Sequence, residues 1–558
     1  MTTALSRLRL AIEAAGPWAP AFFLLLAVAA GGLRSPGAWL AFGAVFLPWA
    51  ALSLRGLAGA GLTAPFLFFS WVAAAALFSP EPLVSLGASS RYAVFGLLFF
   101  YAASSDEGGK GWLAAVYGLG LAAAAVLILQ RITGRGLAGL IGANPNYSAA
   151  FCAAGFPAAV LALSAAASKK NKFLYSALAL LLAAGIAAAA SRGAALAAFL
   201  SAAAGLGFTR RWKWLAGLFA AGLAAAAFLP ATGLEILFKF QDPRAFARPR
   251  LWGAALEAAA ASPLLGWGPG RFGGIFEAFK FPYFDGLSFY GHSTLHAHSE
   301  VLNLAAEAGF PAAALFLLTA AAALYPGGRE KLPLKLCALA AFIQGGADMI
   351  FYSGAAALLF WGSLGFSAGG APTGGEAAPR SGAAIPVGGK FIAALCALCL
   401  FGLALGPAAW VFSGRQKFVA GAYREAALTR NPALVLALAR SGALDSPKDV
   451  FKAAEEGGAF AAAGDAAGAE AAFGRALYLE PGFAGARLGL AAVYAASGRG
   501  GEACAELAVL AKTPAAVPGD PYGRELARFE RPAAQKLEKD LCRKKKNGAG
   551  TASRRMTR

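Results

Sequence analysis

Charged residues are scarce in this chain. Asp, Glu, Lys and Arg together make up 14% of its 558 residues, against about 25% in an ordinary soluble protein. Apolar residues reach 58%, and the mean hydropathy is +0.59. A disordered chain is excluded, because such chains lack apolar residues. A simple soluble enzyme is excluded too, because this much apolar sequence cannot be hidden inside one core. What fits is a polytopic membrane protein carrying a soluble domain. Acidic groups are the scarcer sign, 29 against 49 Lys and Arg, for a net charge of +20. In a soluble protein that excess points to nucleic acid. In a membrane protein it reflects the basic loops of the cytoplasmic side, and no nucleic-acid partner is expected.

Six cysteines are too few for a disulfide framework. Cys396 and Cys399 make a C-x-x-C, but inside the apolar run FIAALCALCLFGLALG. Zinc or redox chemistry needs polar surroundings and a thiolate, so both read as small packing residues. Cys504 and Cys542 lie in the C-terminal region and could pair there.

A membrane-spanning helix needs about 20 apolar residues. Windows of that kind place helices near 14–33, 36–54, 62–79, 88–105, 111–130, 147–167, 173–190, 193–209, 214–230, 300–325, 332–350, 354–370 and 391–413. With the N-terminus inside, fifteen Lys and Arg fall in inner segments, among them Lys169, Lys170, Lys172, Arg210, Arg211 and Lys213. Five fall outside: Arg34, Arg91, Arg131, Arg135 and Arg192. Basic loops stay in the cytoplasm, so the long segment 231–299 and everything after the last span face outward. An all-α fold of about 12–13 transmembrane helices over 1–414 is expected.

Residues 415–535 change character, with charges interspersed among alanines. Phe460 and Tyr494, Gly464 and Gly498, Ala469 and Ala503, and Phe473 and Leu507 recur at a spacing of 34. With Pro481 at the turn, this segment resembles a tetratricopeptide repeat, a helical module that binds protein partners. The array is expected to begin in 417–441, and 536–558 reads as a basic, disordered tail.

All three histidines, His292, His296 and His298, fall within YGHSTLHAHSE, just before a span. Any one of them could merely sit at the membrane interface; the cluster points to function. His296 and His298 could chelate a metal only from extended backbone, and Asp285 is the single Asp or Cys nearby, so no metal or other cofactor is expected. Glu300, Asn303 and Glu307 follow on one helix face, and carboxylates in an apolar span usually line a cavity. Gly266, Gly268 and Gly270 form no dinucleotide fingerprint, because no strand precedes them. Arg248 and Arg250 in the outer loop, and Arg192 between two apolar runs, are permanent cations able to grip phosphate in bidentate fashion.

These residues resemble the O-antigen ligase and polymerase superfamily of bacterial membrane glycosyltransferases. HSEVLNLAAEAG carries its His, small polar residue and, after nine residues, Gly: His298, Ser299 and Gly309. Ser191-Arg192-Gly193, Arg248 ahead of Trp252, PLLGWGPGRF and Asn144-Pro145-Asn146 also match, and Asp348 stands where relatives carry Asp-Phe, although Met349 departs. The resemblance runs from about Asn144 to Phe360. It implies a membrane domain similar to the C-type glycosyltransferase folds, acting at the outer face of the cytoplasmic membrane. It implies transfer of a glycan from undecaprenyl diphosphate to a hydroxyl of a glycolipid, polysaccharide or protein, without metal or nucleotide. Ligase, polymerase and protein O-oligosaccharyltransferase activities all remain open within it. On that reading His298 serves the acceptor hydroxyl, Arg192, Arg248 and Arg250 hold the diphosphate, and His292, His296, Glu300, Asn303 and Glu307 support the acceptor side. A lipid-linked glycan transporter and a membrane-anchored repeat scaffold are the readings from other classes.

Overall fold

A computed structural model of the chain describes residues 17–53, 62–105, 108–142, 144–228, 248–281, 294–325, 328–368, 450–512 and 526–543. Two compact units emerge: Met1–Phe272 with His296–Trp410, and Gly273–Leu295 with Val411–Arg558. The second therefore includes a stretch that the sequence reading assigned to the outer loop of the membrane domain.

The first unit is helical wherever it is described. Its helices are α1 (Ala19–Ala29), α2 (Pro36–Ser53), α3 (Thr63–Leu77), α4 (Pro82–Ser104), α5 (Gly108–Ile132), α6 (Pro145–Ala165), α7 (Lys169–Ala189), α8 (Arg192–Phe208), α9 (Trp212–Phe228) and α10 (Arg248–Ala261). After α11 (Phe272–Phe279), which crosses the unit boundary, come α12 (Glu300–Leu324), α13 (Leu332–Ala347) and α14 (Gly354–Ala368). Every expected span up to 354–370 is a helix; the last, 391–413, lies outside the described residues. Among the described residues five helices, α4, α5, α6, α7 and α12, are long and apolar enough to cross a membrane, and the other apolar ones are shorter.

Local signals set the helix starts. Pro82 opens α4 ahead of the expected position 88, since proline suits the first helical residue. Arg91, counted above with the outer loops, consequently lies inside α4. Asn144, Ser168 and Ser191 cap α6, α7 and α8, each side chain accepting from a backbone N–H of the first turn.

Small residues let these helices approach closely, as membrane helices require. A Cβ added at Gly185 would lie 2.6 Å from that of Ala124. The central helix α6 packs on α5, α7, α8 and α13, and its residues 147–155 are all buried. Phe68, Phe69, Phe316, Phe360 and Trp361 form an aromatic core between α3, α12 and α14. Large apolar side chains such as Phe173, Leu180, Leu196 and Leu223 are meanwhile exposed, as a lipid-facing surface demands.

The helices alternate in direction, so one end of the unit collects specific termini. Ser353 Oγ and Ala355 N–H both donate to Gly32 O, 3.2 Å away, joining the end of α1 to the start of α14. Arg131 Nε donates to Ala188 O at 3.1 Å, joining the ends of α5 and α7. Asn146 and Asp348 join the start of α6 to the end of α13.

In the second unit, α15 (Val450–Ala462), α16 (Ala466–Leu479), α17 (Ala484–Ala496) and α18 (Gly500–Leu510) form two helix pairs. Gly464 (φ +80°) and Gly498 (φ +78°) make the same left-handed turn one repeat apart, a conformation glycine adopts freely. Phe473 fills the space left by Gly457 and Gly489. Ion pairs Glu456–Arg475 and Arg487–Glu506, and Arg499 with Glu470 and Glu502, tie the helices of the repeats together. The expected start of the array, 417–441, lies outside the described residues. At the other end α19 (Arg531–Glu538) and a π turn (Lys539–Arg543) run through the boundary at 535 where a disordered tail was expected. Cys542 in that turn forms a disulfide with Cys504 of α18.

Candidate functional site

The histidine segment enters α12 with its backbone bent. His298 has φ +53°, the left-handed region that few non-glycine residues occupy and that clusters at functional sites. Ser299 follows in extended conformation and α12 begins at Glu300.

His298 faces Asp348, at the end of α13. Its Nδ1 lies 3.7 Å from Asp348 Oδ1, buried and without a hydrogen-bond partner, while 26% of the side chain stays exposed. Asp348 is almost wholly buried. Its Oδ2 accepts from Asn146 Nδ2 at 2.6 Å, and its Oδ1 from the Met349 N–H at 2.8 Å. Arg248 Nη2 stands 3.8 Å from Oδ1, and Nη1 donates to Ala347 O at 2.7 Å. The guanidinium thus balances a buried carboxylate and satisfies a carbonyl at the end of α13, where a cation is favoured. Gln344, one turn earlier on α13, donates to Asn146 O at 3.2 Å.

Arg192 opens α8 beside this group. A Cβ on the next residue, Gly193, would lie 3.5 Å from Gln344 Cγ and 3.8 Å from Asp348 Oδ2. The first turns of α6, α8 and α10 therefore meet around Asp348, and helix N-termini attract anions. Arg250 is exposed in the first turn of α10.

The other expected residues hold the histidine segment in place. The His296 ring lies 4.2 Å from that of Tyr352. Burial, then the nearby His298 and Arg91, push the His296 imidazole down to about 4, so it stays neutral at physiological pH. Asn303 Oδ1 accepts from the Ala297 N–H at 3.2 Å, fixing the residue before His298. Glu300 Oε1 accepts from the Tyr92 hydroxyl at 3.1 Å. Glu307 accepts from the Phe272 N–H at 2.9 Å, tying the outer loop to α12. His292 lies outside the described residues.

Gly309 has a mechanical role. Its φ of +83° breaks α12, and a Cβ there would sit 2.0 Å from Leu264 O. The freed groups pair with the outer loop: Trp267 N–H donates to Ala306 O, Gly268 N–H to Glu307 O, and Phe310 N–H to Pro263 O, at 2.7–3.1 Å. The glycines at 266, 268 and 270 serve this docking, each at positive φ with no room for a Cβ.

Sequence reasoning reached Asn146 and Asp348 only through family resemblance, and it did not single out Gln344, Tyr92 or Tyr352. Gln344 left a signal: a polar residue in an apolar helix, four positions before Asp348 and hence on the same face. Among the described residues, no group of three or more His, Cys, Asp or Glu could hold a metal ion.

Residues 177–317 match the O-antigen ligase family, and residues 460–528 match the tetratricopeptide repeat. The first match spans Arg192, Arg248, His298 and Gly309; the second covers α16–α18 and the end of α15. No curated protein is significantly similar to the chain. Apolar helices and the family match together make this an integral membrane protein with a ligase/polymerase-type, glycan-processing membrane domain and a C-terminal helical repeat.

Proposed function

We propose that the protein transfers a glycan from an undecaprenyl-diphosphate-linked donor to an acceptor hydroxyl, as an O-antigen ligase-like enzyme that needs no metal. The observation that carries this reading is the meeting of His298, Arg248 and the start of α8 around one buried carboxylate, Asp348.

In the transfer, the acceptor oxygen attacks the anomeric carbon of the donor sugar. The bond from that carbon to the phosphate oxygen breaks, and undecaprenyl diphosphate leaves with the electron pair. The acceptor proton passes to the imidazole of His298 at Nε2. Asp348, facing Nδ1, orients the ring and stabilises the imidazolium that forms. Arg192 and Arg248 meet the charge that grows on the leaving diphosphate, helped by the N-termini of α8 and α10. Arg250 contributes at the rim. His292, His296, Glu300, Asn303 and Glu307 hold the acceptor side.

The site faces outward from the cytoplasmic membrane in this reading. Lys169, Lys170, Lys172, Arg210, Arg211 and Lys213 lie where α6–α7 and α8–α9 connect, at the end opposite the site, which the positive-inside rule assigns to the cytoplasm. The Cys504–Cys542 disulfide supports an oxidising compartment for the repeats. Those repeats would bind a protein partner there.

The test is reconstitution of the purified protein with a lipid-linked glycan and each acceptor class in turn. Transfer by wild type, lost sharply in Arg192→Lys and Arg248→Lys while both stay folded, is expected. Lysine keeps the charge but loses the bidentate fork. Undiminished transfer by both variants would remove the diphosphate role.

A further inference from the structure

The end of the first unit away from Asp348 carries a second concentration of charge. α6 and α8 both start beside Asp348, so their far ends, with the turns into α7 and α9, lie together at the opposite end. Those turns hold Lys169, Lys170 and Lys172, and Arg210, Arg211 and Lys213. Arg211 Nη1 donates to Ser164 Oγ at 2.9 Å, which fixes the second turn to the end of α6. The chain has no Asp or Glu between residues 108 and 234. The start of α13 packs alongside, with Leu332 and Leu336 against Leu161, and the turn before it adds Arg329, Glu330 and Lys331.

Membrane sidedness asks only for positive charge somewhere in such loops. Here the cations stand where helix stability disfavours them. Lys169, Lys170 and Lys172 occupy the first turn of α7, against the helix dipole, and that turn has no acidic side chain. Arg210 follows the end of α8 at φ +56°, a position that helices usually give to glycine. Its N–H and that of Arg211 close the helix on Gly207 O and Leu206 O, at 3.0 and 2.8 Å. All six cations are exposed except Arg211, which is half-buried. An anion from outside the chain would relieve the repulsion among them.

Apolar side chains decide which anion. Phe173 and Trp212, each next to a cation of the group, are 78% and 62% exposed. From them exposed stripes run down the two helices, Phe173 to Leu180 on α7 and Trp212 to Phe219 and Leu223 on α9. A free phosphate would use the cations and leave the stripes unmatched. An acidic protein would approach from water and cover the turns alone. An anionic phospholipid matches both features, its phosphate at the turns and its acyl chains along the stripes.

We infer that the α6–α7 and α8–α9 turns form a binding site for the phosphate of an anionic phospholipid, whose acyl chains lie against α7 and α9. The site is separate from the His298 group and does not depend on the reaction proposed above.

Native mass spectrometry reads this site without turnover. Full-length protein in detergent is incubated with equal amounts of phosphatidylglycerol and phosphatidylcholine, and the lipid that stays bound is counted. Wild type should retain phosphatidylglycerol in preference to phosphatidylcholine. Lys170→Gln with Lys213→Gln, one exposed cation from each turn, should weaken that retention about ten-fold, and Lys172→Gln alone about five-fold. Arg135→Gln, which removes an exposed cation at the other end, should leave it unchanged. Thermal midpoints in detergent without lipid should agree among the variants, which shows that each is folded. Equal retention of both lipids by wild type, or undiminished retention in the Lys variants, would overturn the assignment. So would an equal loss in Arg135→Gln, which would reduce the effect to net charge. Release of the lipid by excess inorganic phosphate would overturn it as well, by making this a site for free phosphate.

Discussion

Nδ1 of His298 lies 3.7 Å from Oδ1 of Asp348, and the two groups come from chain segments joined only through α12 and α13. Asp348 is held from its other side by Asn146, so the carboxylate is fixed before the histidine meets it. Asp348→Asn keeps the shape and removes the charge that stabilises an imidazolium. Its kcat should fall on the order of 10²-fold or more, with donor affinity changed far less. Stopped-flow or single-turnover transfer in proteoliposomes checks this, and an unchanged kcat would detach Asp348 from the chemistry.

The break in α12 is equally specific. Gly309→Ala would place a Cβ 2.0 Å from Leu264 O at φ +83°. Left-handed backbone alone costs a non-glycine residue about 1–3 kcal/mol, and the clash adds to it. Thermal unfolding in detergent should show a large loss of stability or no folded protein. Gly217→Ala, in mid-helix with nothing within 4 Å, should be neutral or slightly stabilising.

His296 makes stability depend on pH. Its pKa lies at about 4 in the folded protein, below the value of about 6.5 in an unfolded chain. Between those values the unfolded state binds more protons, so stability rises with pH. The full contribution is present above about 6.5 and is lost progressively as pH falls toward 4, on the order of 3 kcal/mol. His296→Phe keeps a ring against Tyr352 and should flatten that slope, as thermal midpoints measured from pH 4 to 7 would reveal. An identical slope in the variant would mean that other groups carry it.

The disulfide between α18 and the C-terminal turn gives a test of sidedness. Protein from membranes prepared without reductant should show Cys504 and Cys542 protected from thiol reagents, and after mild reduction of intact cells a membrane-impermeant maleimide should label them. Cys504→Ser with Cys542→Ser should destabilise the repeats by roughly 2–4 kcal/mol. Labelling that requires cell lysis would put the repeats in the cytoplasm.

Much of this was legible from local pattern. Apolar windows found the helices, because each buries its own backbone polar groups and leaves a continuous apolar signature. The 34-residue spacing found Gly464 and Gly498, which occupy equivalent turns. The residues around His298 were harder to assemble. Asn146 and Asp348 are 202 positions apart, and Tyr92 and Glu300 are 208 apart. Their meeting is decided by how Ala- and Gly-rich helices stack, which leaves no periodic trace. Arg91 misled for a related reason: a charge in an apolar stretch reads as a loop, and only the fold shows the Trp39 ring that receives it.

The most direct measurement compares His298→Ala with wild type in proteoliposomes containing a lipid-linked glycan, reading acceptor glycosylation and donor binding separately. Loss of a positioned base costs about 10²–10⁴-fold in rate. Transfer should therefore disappear to that degree while donor affinity, which the proposed reaction assigns to Arg192 and Arg248, stays nearly unchanged. Transfer at the wild-type rate would contradict the account, which assigns the acceptor proton to His298, facing Asp348.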